Sequence, residues 1–307
     1  MKSNYRYIVK AFMAMAVIAG TTSCDDFLDR EPMSSISPET YYSTAAQLEA
    51  NLNDEYPNVL PSFGQWTYGI FGEDKGTDNQ IEVNANDRYT QDRWKVPHSE
   101  SDNWKFERIY RINFFLSEAL PKFGEDMSGS QNTISGSVAT IKHYIGEMYF
   151  LRAYEYFKKL QLFGDFPIIN QPLADEMEAL REASKRFPRN EVARFIISDL
   201  DKAYAYMSDV DMATTRINKD VAMLVKSRVA LFEATWLQNF KGTAFVPGGE
   251  GWPGASLHNN YQYPSGNIDN EVKYFLEQAV EASKLVADKY KGSLTENTGV
   301  LQQSDDD

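Results

Sequence analysis

The sequence is poor in the residues that form disulfides and zinc sites. It has one cysteine, Cys24, in 307 residues, so no intrachain disulfide forms and stability must come from packing. Neither an EF-hand loop nor a glycine-rich phosphate loop ending in Lys-Ser/Thr occurs. The three histidines are scattered without the spacing of zinc ligands: His98, His143 and His258. We therefore expect no metal and no cofactor.

Basic residues are also scarce relative to acidic ones. The chain has 31 Lys and Arg against 44 Asp and Glu, a formal net charge of −13. Such a surface repels nucleic acid and anionic lipid headgroups. The sequence therefore argues against a DNA-binding or RNA-binding protein, and charge alone does not attach this chain to a membrane.

The longest apolar run near the N-terminus is too short to cross a bilayer. It spans residues 11–19, follows basic residues at Lys2, Arg6 and Lys10, and leads through small residues to Cys24. This order is typical of a signal peptide with a lipidation site. We predict a signal peptide over 1–23 and a lipid on Cys24; the alternative is an ordinary secreted protein with a chance cysteine. Removal of 1–23 takes away three basic and no acidic residues, leaving 28 against 44 and a net charge of −16.

The rest of the chain divides into a short tether and a long helical region. Residues 24–43 contain Ser and Pro and predict a flexible tether. Residues 44–307 predict a mostly α fold, a tetratricopeptide-like helical superhelix with irregular loop-rich insertions. The strict repeat signature is absent, so this prediction rests on the succession of amphipathic helices.

Local signals mark several helix ends. Thr44 and Gln47 form a capping box, and helical spacing of apolar residues predicts helices over about 103–120, 137–163 and 270–290. Gly164 is suited to end the second of these. Asn190 and Asn218 are predicted to cap two further helices.

Loop aromatics are the best candidates for ligand contacts. A sugar presents apolar C–H faces that stack on flat rings, while Asp, Asn and Arg recognise its hydroxyls. Residues 57–102 and 238–269 combine Gly, Pro and Asn with aromatics outside any helical period. The alternative for each ring is a structural role, in which it packs against other residues of its loop. The predicted ligand residues are Trp66, Tyr68, Trp94, Trp252, Tyr261 and Tyr263.

Other polar and aromatic residues are expected to be structural. Arg152 and Arg228 fall in or beside apolar helix faces, where a buried arginine takes a carboxylate or carbonyl partner. Asn113 is expected to satisfy backbone groups. Trp104 and Trp236 are expected in the core.

Catalysis has weak support in the sequence. Glu73, Asp74 and Asp78 lie close together and a carboxylate pair is the requirement of a glycoside hydrolase, but the stretch is typical of a solvated polar loop. Asp74, Asp78 and Asn79 also offer oxygen ligands to calcium, without EF-hand spacing. An exported glycoside hydrolase therefore stays an alternative.

Four stretches together resemble the SusD/RagB family of outer-membrane nutrient-binding lipoproteins. They are residues 24–32, 104–113, 146–157 with Phe163-Gly-Asp-Phe-Pro167, and 216–231. The third is the most specific, and the four cover most of the chain in the family's order. The resemblance implies tetratricopeptide-like helices and the absence of the family's C-terminal, loop-rich half.

The resemblance also implies a function. Family members are lipid-anchored at the cell surface, cover a TonB-dependent (SusC-like) outer-membrane transporter and pass it glycans or peptides without catalysis. We therefore expect a glycan-binding lipoprotein of the outer membrane, facing outside the cell, that captures oligosaccharides and delivers them to such a transporter. The alternatives are the hydrolase, a helical scaffold without a small ligand, and a peptide-binding family member.

Overall fold

The described part of the computed structural model comprises residues 41–61, 103–124, 126–208, 212 and 215–293. Contacts divide the chain into Met1–Tyr41 and Tyr42–Asp307, and the described residues belong to the second unit apart from Tyr41. The domain boundaries predicted at 23 and 43 stay predictions.

The described ranges are mostly helical, which confirms the predicted fold class. Isolated β-bridges are the only extended pairings within these ranges, at Thr44–Ser135 and Phe166–Phe187. A short 3₁₀ helix spans Pro253–Ser256. The α-helices of the described residues are α1 (Ala45–Val59), α2 (Glu107–Phe123), α3 (Val138–Phe163), α4 (Met177–Ala183), α5 (Arg189–Tyr206), α6 (Lys219–Asn239) and α7 (Ile268–Tyr290).

Side-chain caps begin most of the long helices. Thr44 accepts a hydrogen bond from the backbone N–H of Gln47, whose side chain bonds back to the cap, so the predicted capping box is confirmed. Asn218 caps α6 as predicted, by accepting from the backbone N–H of Val221. The prediction for Asn190 was wrong: α5 begins at Arg189 with Pro188 in the cap position, and the Asn190 side chain bonds distant residues instead.

Helix α3 is covered by neighbours on several sides. It packs against α1, α2 and α5, and apolar residues all round its circumference are buried. Gly146 permits the contact with α5, because a Cβ atom there would lie 2.8 Å from the backbone nitrogen of Met207. Gly164 ends the helix with φ = 68°, a conformation that favours glycine.

The later helices pack in chain order. Helix α5 contacts α3 and α6, and α6 contacts α7. Packing of each helix on its sequence neighbours is the arrangement of tetratricopeptide-type folds. Helix α4, which the sequence did not predict, buries none of its residues and lies on the connection from α3 to α5.

Buried arginine–carboxylate pairs link these helices to one another. Arg152 donates two hydrogen bonds to Asp199, from Nε (2.6 Å) and Nη2 (2.8 Å), and so joins α3 to α5. Asn113 joins the same cluster, accepting from Arg152 and donating to the backbone oxygen of Ile169. The structural roles predicted for Arg152 and Asn113 are confirmed, whereas Arg228 is exposed. Further arginine pairs with a fully buried carboxylate are Arg189–Glu233, Arg194–Glu271 and Arg216–Glu147.

The free energy of unfolding should fall at acid pH because of Glu271. Burial raises the pKa of this carboxyl, but hydrogen bonds from Arg194, Asn190 and Ser265 outweigh burial and hold the pKa below its ordinary 4.5. A carboxyl whose folded pKa is depressed stabilises the fold above its unfolded pKa, and that stabilisation is lost as pH falls through the folded pKa. We expect the free energy of unfolding, measured by urea titration at a series of pH values, to decrease below about pH 4.5.

The variant Glu271→Gln should show a weaker decrease over that acid range and lower stability at pH 7. Glu277→Gln, which alters an exposed carboxyl on the same helix, is the control and should follow the unmodified chain. Identical acid profiles for the unmodified chain and Glu271→Gln would show that this group does not carry the effect.

Candidate functional site

A cleft of about 660 Å³ lies beside the loop between α6 and α7. Its volume falls within the range of small-molecule sites. Its walls come from the end of α3, the start of α5, the end of α6 and this loop; we call it the loop cleft. Its lining includes Gln161, Leu162, Asp165, Arg186, Arg189, Trp236, Phe245, Trp252 and Leu257.

The turn after α3 places polar groups at the base of the cleft. Because Gly164 ends the helix, the chain reverses and Phe166 pairs with Phe187 through two backbone hydrogen bonds of 3.2 and 3.0 Å. This bridge brings Asp165 close to the residues that open α5. The Asp165 carboxylate accepts from the backbone N–H of Arg189 at 2.9 Å.

Trp252 fastens the loop to this base. Its indole Nε1 donates to Asp165 Oδ2 at 2.8 Å, and its ring lies nearly parallel to that of His258 with centroids 5.9 Å apart. Only 5% of Trp252 is exposed. Burial raises the pKa of Asp165, opposed by the hydrogen bond from Trp252. Trp252, a predicted ligand residue, therefore lines the cleft while most of its surface contacts protein.

Tyr261 and Tyr263 lie next to Trp252 in the same loop. The centroid of Tyr261 is 5.6 Å from that of Trp252 and 5.2 Å from that of Tyr263. The Tyr261 hydroxyl and the Asn190 side chain exchange hydrogen bonds of 2.9 and 3.1 Å, and Tyr263 donates to the backbone oxygen of Pro247 at 2.7 Å. The structure thus brings three of the predicted ligand residues together, with both tyrosine hydroxyls engaged by protein.

The most accessible apolar surface of the cleft comes from residues that the sequence did not single out. Phe245 is 60% exposed, and Leu162 and Leu257 are exposed as well. Trp236, expected in the core, is half-buried at the cleft and donates from Nε1 to the Phe245 backbone oxygen at 3.0 Å. Phe245 lies between glycines and outside any helical period, the same signal that picked out Trp252.

The guanidinium of Arg189 supports the ring of Trp236 at the wall of the cleft. The guanidinium of Arg189 lies 4.1 Å from the ring centroid of Trp236 and donates to Glu233 from Nε (3.0 Å) and Nη2 (2.9 Å). Both partners are buried. The pair holds the Trp236 ring in place, so the cleft presents planar rings with polar groups at its base, the combination that suits a sugar ring.

The remaining predicted site residues lie outside the described part of the chain. They are Cys24, Trp66, Tyr68 and Trp94, together with the carboxylates Glu73, Asp74 and Asp78 of the hydrolase alternative. Over the described ranges, no group of three or more His, Cys, Asp or Glu side chains is placed to hold a metal ion. No helix of those ranges is both long and apolar enough to span a bilayer.

Fold and cleft together define a helical protein of tetratricopeptide-like packing with an aromatic-lined cleft. The sequence profile of a SusD-like family, described as "Starch-binding associating with outer membrane", matches residues 26–231. This match covers more than half of the chain. The chain therefore belongs to the SusD-like family.

Curated relatives come from Formosa agariphila. SusD-like protein P2 is 25% identical over 253 residues, which cover 78% of this chain and 46% of that protein. SusD-like protein P25 is 25% identical over 233 residues, covering 70% of this chain and 41% of the relative. This chain thus spans less than half the length of the curated relatives that it matches.

Solved structures of SusD-like proteins are also similar. A SusD-like protein of Bacteroides fragilis aligns with a TM-score of 0.47 and 21% identity, over 69% of this chain and 39% of that one. A SusD-like carbohydrate-binding protein of Bacteroides vulgatus aligns with a TM-score of 0.46 and 14% identity, over 81% of this chain and 45% of the other.

Proposed function

We propose that this chain captures oligosaccharides at the outer membrane and delivers them to a TonB-dependent transporter, without breaking a bond. The observation that carries the proposal is the family match over residues 26–231, with its description as starch-binding and associated with the outer membrane. The loop cleft supports it, since the exposed ring of Phe245 stands there beside polar groups.

The cleft offers the two kinds of contact that a sugar requires. The apolar face of a pyranose ring stacks on Phe245, whose side chain is 60% exposed and whose ring is supported edge to face by Phe240, with centroids 5.3 Å apart. Gln161 and Arg186 line the same cleft with hydrogen-bond donors for ring hydroxyls. Few polar contacts and one or two stacked rings give weak, reversible binding, which suits a protein that must release its ligand.

Features of the sequence support the proposed membrane attachment and the proposed partner. A lipid on Cys24 would anchor the chain, residues 24–43 would tether it, and the SusC-like transporter would receive the ligand at the outer face of the cell. The resemblance of residues 24–32 to the family's lipidated start supports the anchor. Trp66, Tyr68 and Trp94 stay predicted ligand residues beside Trp252, Tyr261 and Tyr263.

Isothermal titration against a panel of oligosaccharides tests binding through the loop cleft. Phe245→Ala removes an exposed ring without disturbing the backbone oxygen that accepts from Trp236. Loss of one stacking contact should raise Kd about tenfold for a saccharide that binds the unmodified chain.

Tyr110→Ala is the matched control, because Tyr110 is 52% exposed and does not line the loop cleft. Its Kd should equal that of the unmodified chain. The proposal fails if no oligosaccharide binds, or if Phe245→Ala and Tyr110→Ala behave alike. Binding of peptides in place of saccharides would favour the peptide-binding alternative, and release of reducing ends from a polysaccharide would favour the hydrolase.

A further inference from the structure

Arg186 is held at the loop cleft by the residues around it. Its guanidinium carbon lies 4.6 Å from the ring centroid of Trp104, over the ring face. Its backbone oxygen lies 2.8 Å from Nε2 of His258, and the next residue, Phe187, pairs with Phe166. The backbone of Arg186 is therefore fixed on both sides.

The Trp104 ring that supports Arg186 is itself part of an aromatic cluster. Its centroid lies 4.9 Å from those of Phe163 and Phe166 and 5.6 Å from that of Phe106, all in edge-to-face geometry. Four rings in contact form a rigid platform. A guanidinium stacked on such a platform loses little further freedom when it binds a ligand, and its in-plane N–H donors stay available.

Arg186 lacks the ion pair that its neighbour has. Two cations line the described part of the loop cleft, Arg186 and Arg189. Arg189 is neutralised by buried Glu233, whereas no carboxylate lies within 4.0 Å of the exposed side chain of Arg186 in the described residues. Asp165, the carboxylate of the cleft, accepts from Trp252 and from the backbone of Arg189. Burial raises the pKa of the Asp165 carboxyl, and the charge of Arg186 lowers this pKa from a longer distance, but by less.

We propose that the loop cleft selects saccharides that carry an anionic group, a carboxylate or a sulfate ester, and that Arg186 binds this group. The proposal rests on the glycan-binding function proposed above. A guanidinium presents parallel donors that match the two oxygens of a carboxylate or sulfate. A chain with a net charge of −13 repels anions in general, so an anionic sugar needs a local cation such as this one.

Titration calorimetry with matched ligands tests the proposal. Oligogalacturonate and its neutral methyl ester share the same sugar backbone and differ at the carboxyl group, which is charged in the first and methylated in the second; a sulfated and an unsulfated oligosaccharide of equal length form the second pair. Charge-assisted hydrogen bonds predict that the unmodified chain binds the anionic member of one pair about tenfold more tightly than its neutral counterpart. The preferred pair tells a carboxylate from a sulfate ligand.

The variant Arg186→Gln should lose this preference: its Kd for the anionic ligand should rise about tenfold, and its Kd for the neutral ligand should rise less, because the glutamine amide still donates to hydroxyls. Arg181→Gln is the control, since Arg181 is an exposed arginine that does not line the cleft. Unchanged thermal unfolding of both variants shows that they are folded.

The outcomes separate this proposal from the function on which it rests. Equal affinity for anionic and neutral ligands, with both weakened by Phe245→Ala, overturns the selection by Arg186 and leaves the glycan-binding function intact. An anionic preference that survives in Arg186→Gln likewise overturns the role of this residue. Binding that Phe245→Ala does not weaken, or no binding of any saccharide, overturns the proposed function and this inference with it.

Discussion

Asp199→Ala should lower the free energy of unfolding by about 3–5 kcal/mol, because it leaves the guanidinium of Arg152 buried without its counter-ion. Arg152 is 3% exposed and the Asp199 side chain is fully buried. Arg152 keeps hydrogen bonds to the side chain of Asn113 and to the backbone oxygen of Asn170, but these neutral acceptors do not balance its charge. Urea denaturation followed by circular dichroism measures the change.

Two further variants show whether the unpaired charge is the cause. Asp269→Ala breaks an exposed pair with Lys241 and should cost less than about 1 kcal/mol. The double variant Arg152→Met with Asp199→Leu removes both charges and should recover much of the lost stability. A double variant as unstable as Asp199→Ala would contradict the explanation, since loss of packing and not an unpaired charge would then dominate.

Trp252→Ala should destabilise the chain by about 3–5 kcal/mol, as expected for removal of a buried tryptophan. The side chain fills the space between Asp165 and the ring of His258. Its loss also leaves Asp165 Oδ2 without the indole donor, at a partly buried position. The loop wall of the cleft should then loosen, with faster proteolysis between residues 240 and 266.

Trp252→Phe separates the hydrogen bond from the packing. Phenylalanine keeps an aromatic ring in place but does not donate to Asp165, so we expect a loss of about 1–3 kcal/mol. Chemical denaturation gives both values, and limited proteolysis reports on the loop. If Trp252→Ala changes neither the stability nor the protease sensitivity, the indole does not hold the loop against α3 and α5.

Sequence patterns predicted those parts of the fold that depend on near neighbours. The capping box at Thr44, the cap at Asn218 and the end of α3 at Gly164 each involve residues within four positions of one another. The buried pairing of Arg152 was predictable in kind, because a charge beside an apolar helix face requires a partner. The identity of the partner was not predictable, since Asp199 lies 47 residues away from Arg152 in the sequence.

Predictions failed where a distant partner competes with a local one. Asn190 has the chemistry of a helix cap, but its amide donates to Glu271, 81 residues along the chain, and to Tyr261. Trp236 has helical spacing suited to the core, yet it lies at the cleft because the loop with Phe245 packs over the end of α6. Arg228 falls in an apolar pattern and is exposed.

In the candidate site, too, the sequence predicted the local grouping of residues but not their distant partners. Composition predicted that the loop 238–269 gathers aromatics, and Trp252, Tyr261 and Tyr263 do lie together there. That their polar atoms bond to Asp165, Asn190 and Pro247 depends on the tertiary fold. The free surface of Phe245 and the platform under Arg186 likewise required the structure.

A crystal structure of the chain with a bound oligosaccharide is the most direct test of the central claim, that this SusD-like chain holds glycans in the loop cleft. We expect a sugar ring stacked within about 4 Å of the Phe245 side chain, with hydroxyl or anionic groups directed toward Arg186. An oligosaccharide bound at another surface while the loop cleft holds only solvent would contradict the account.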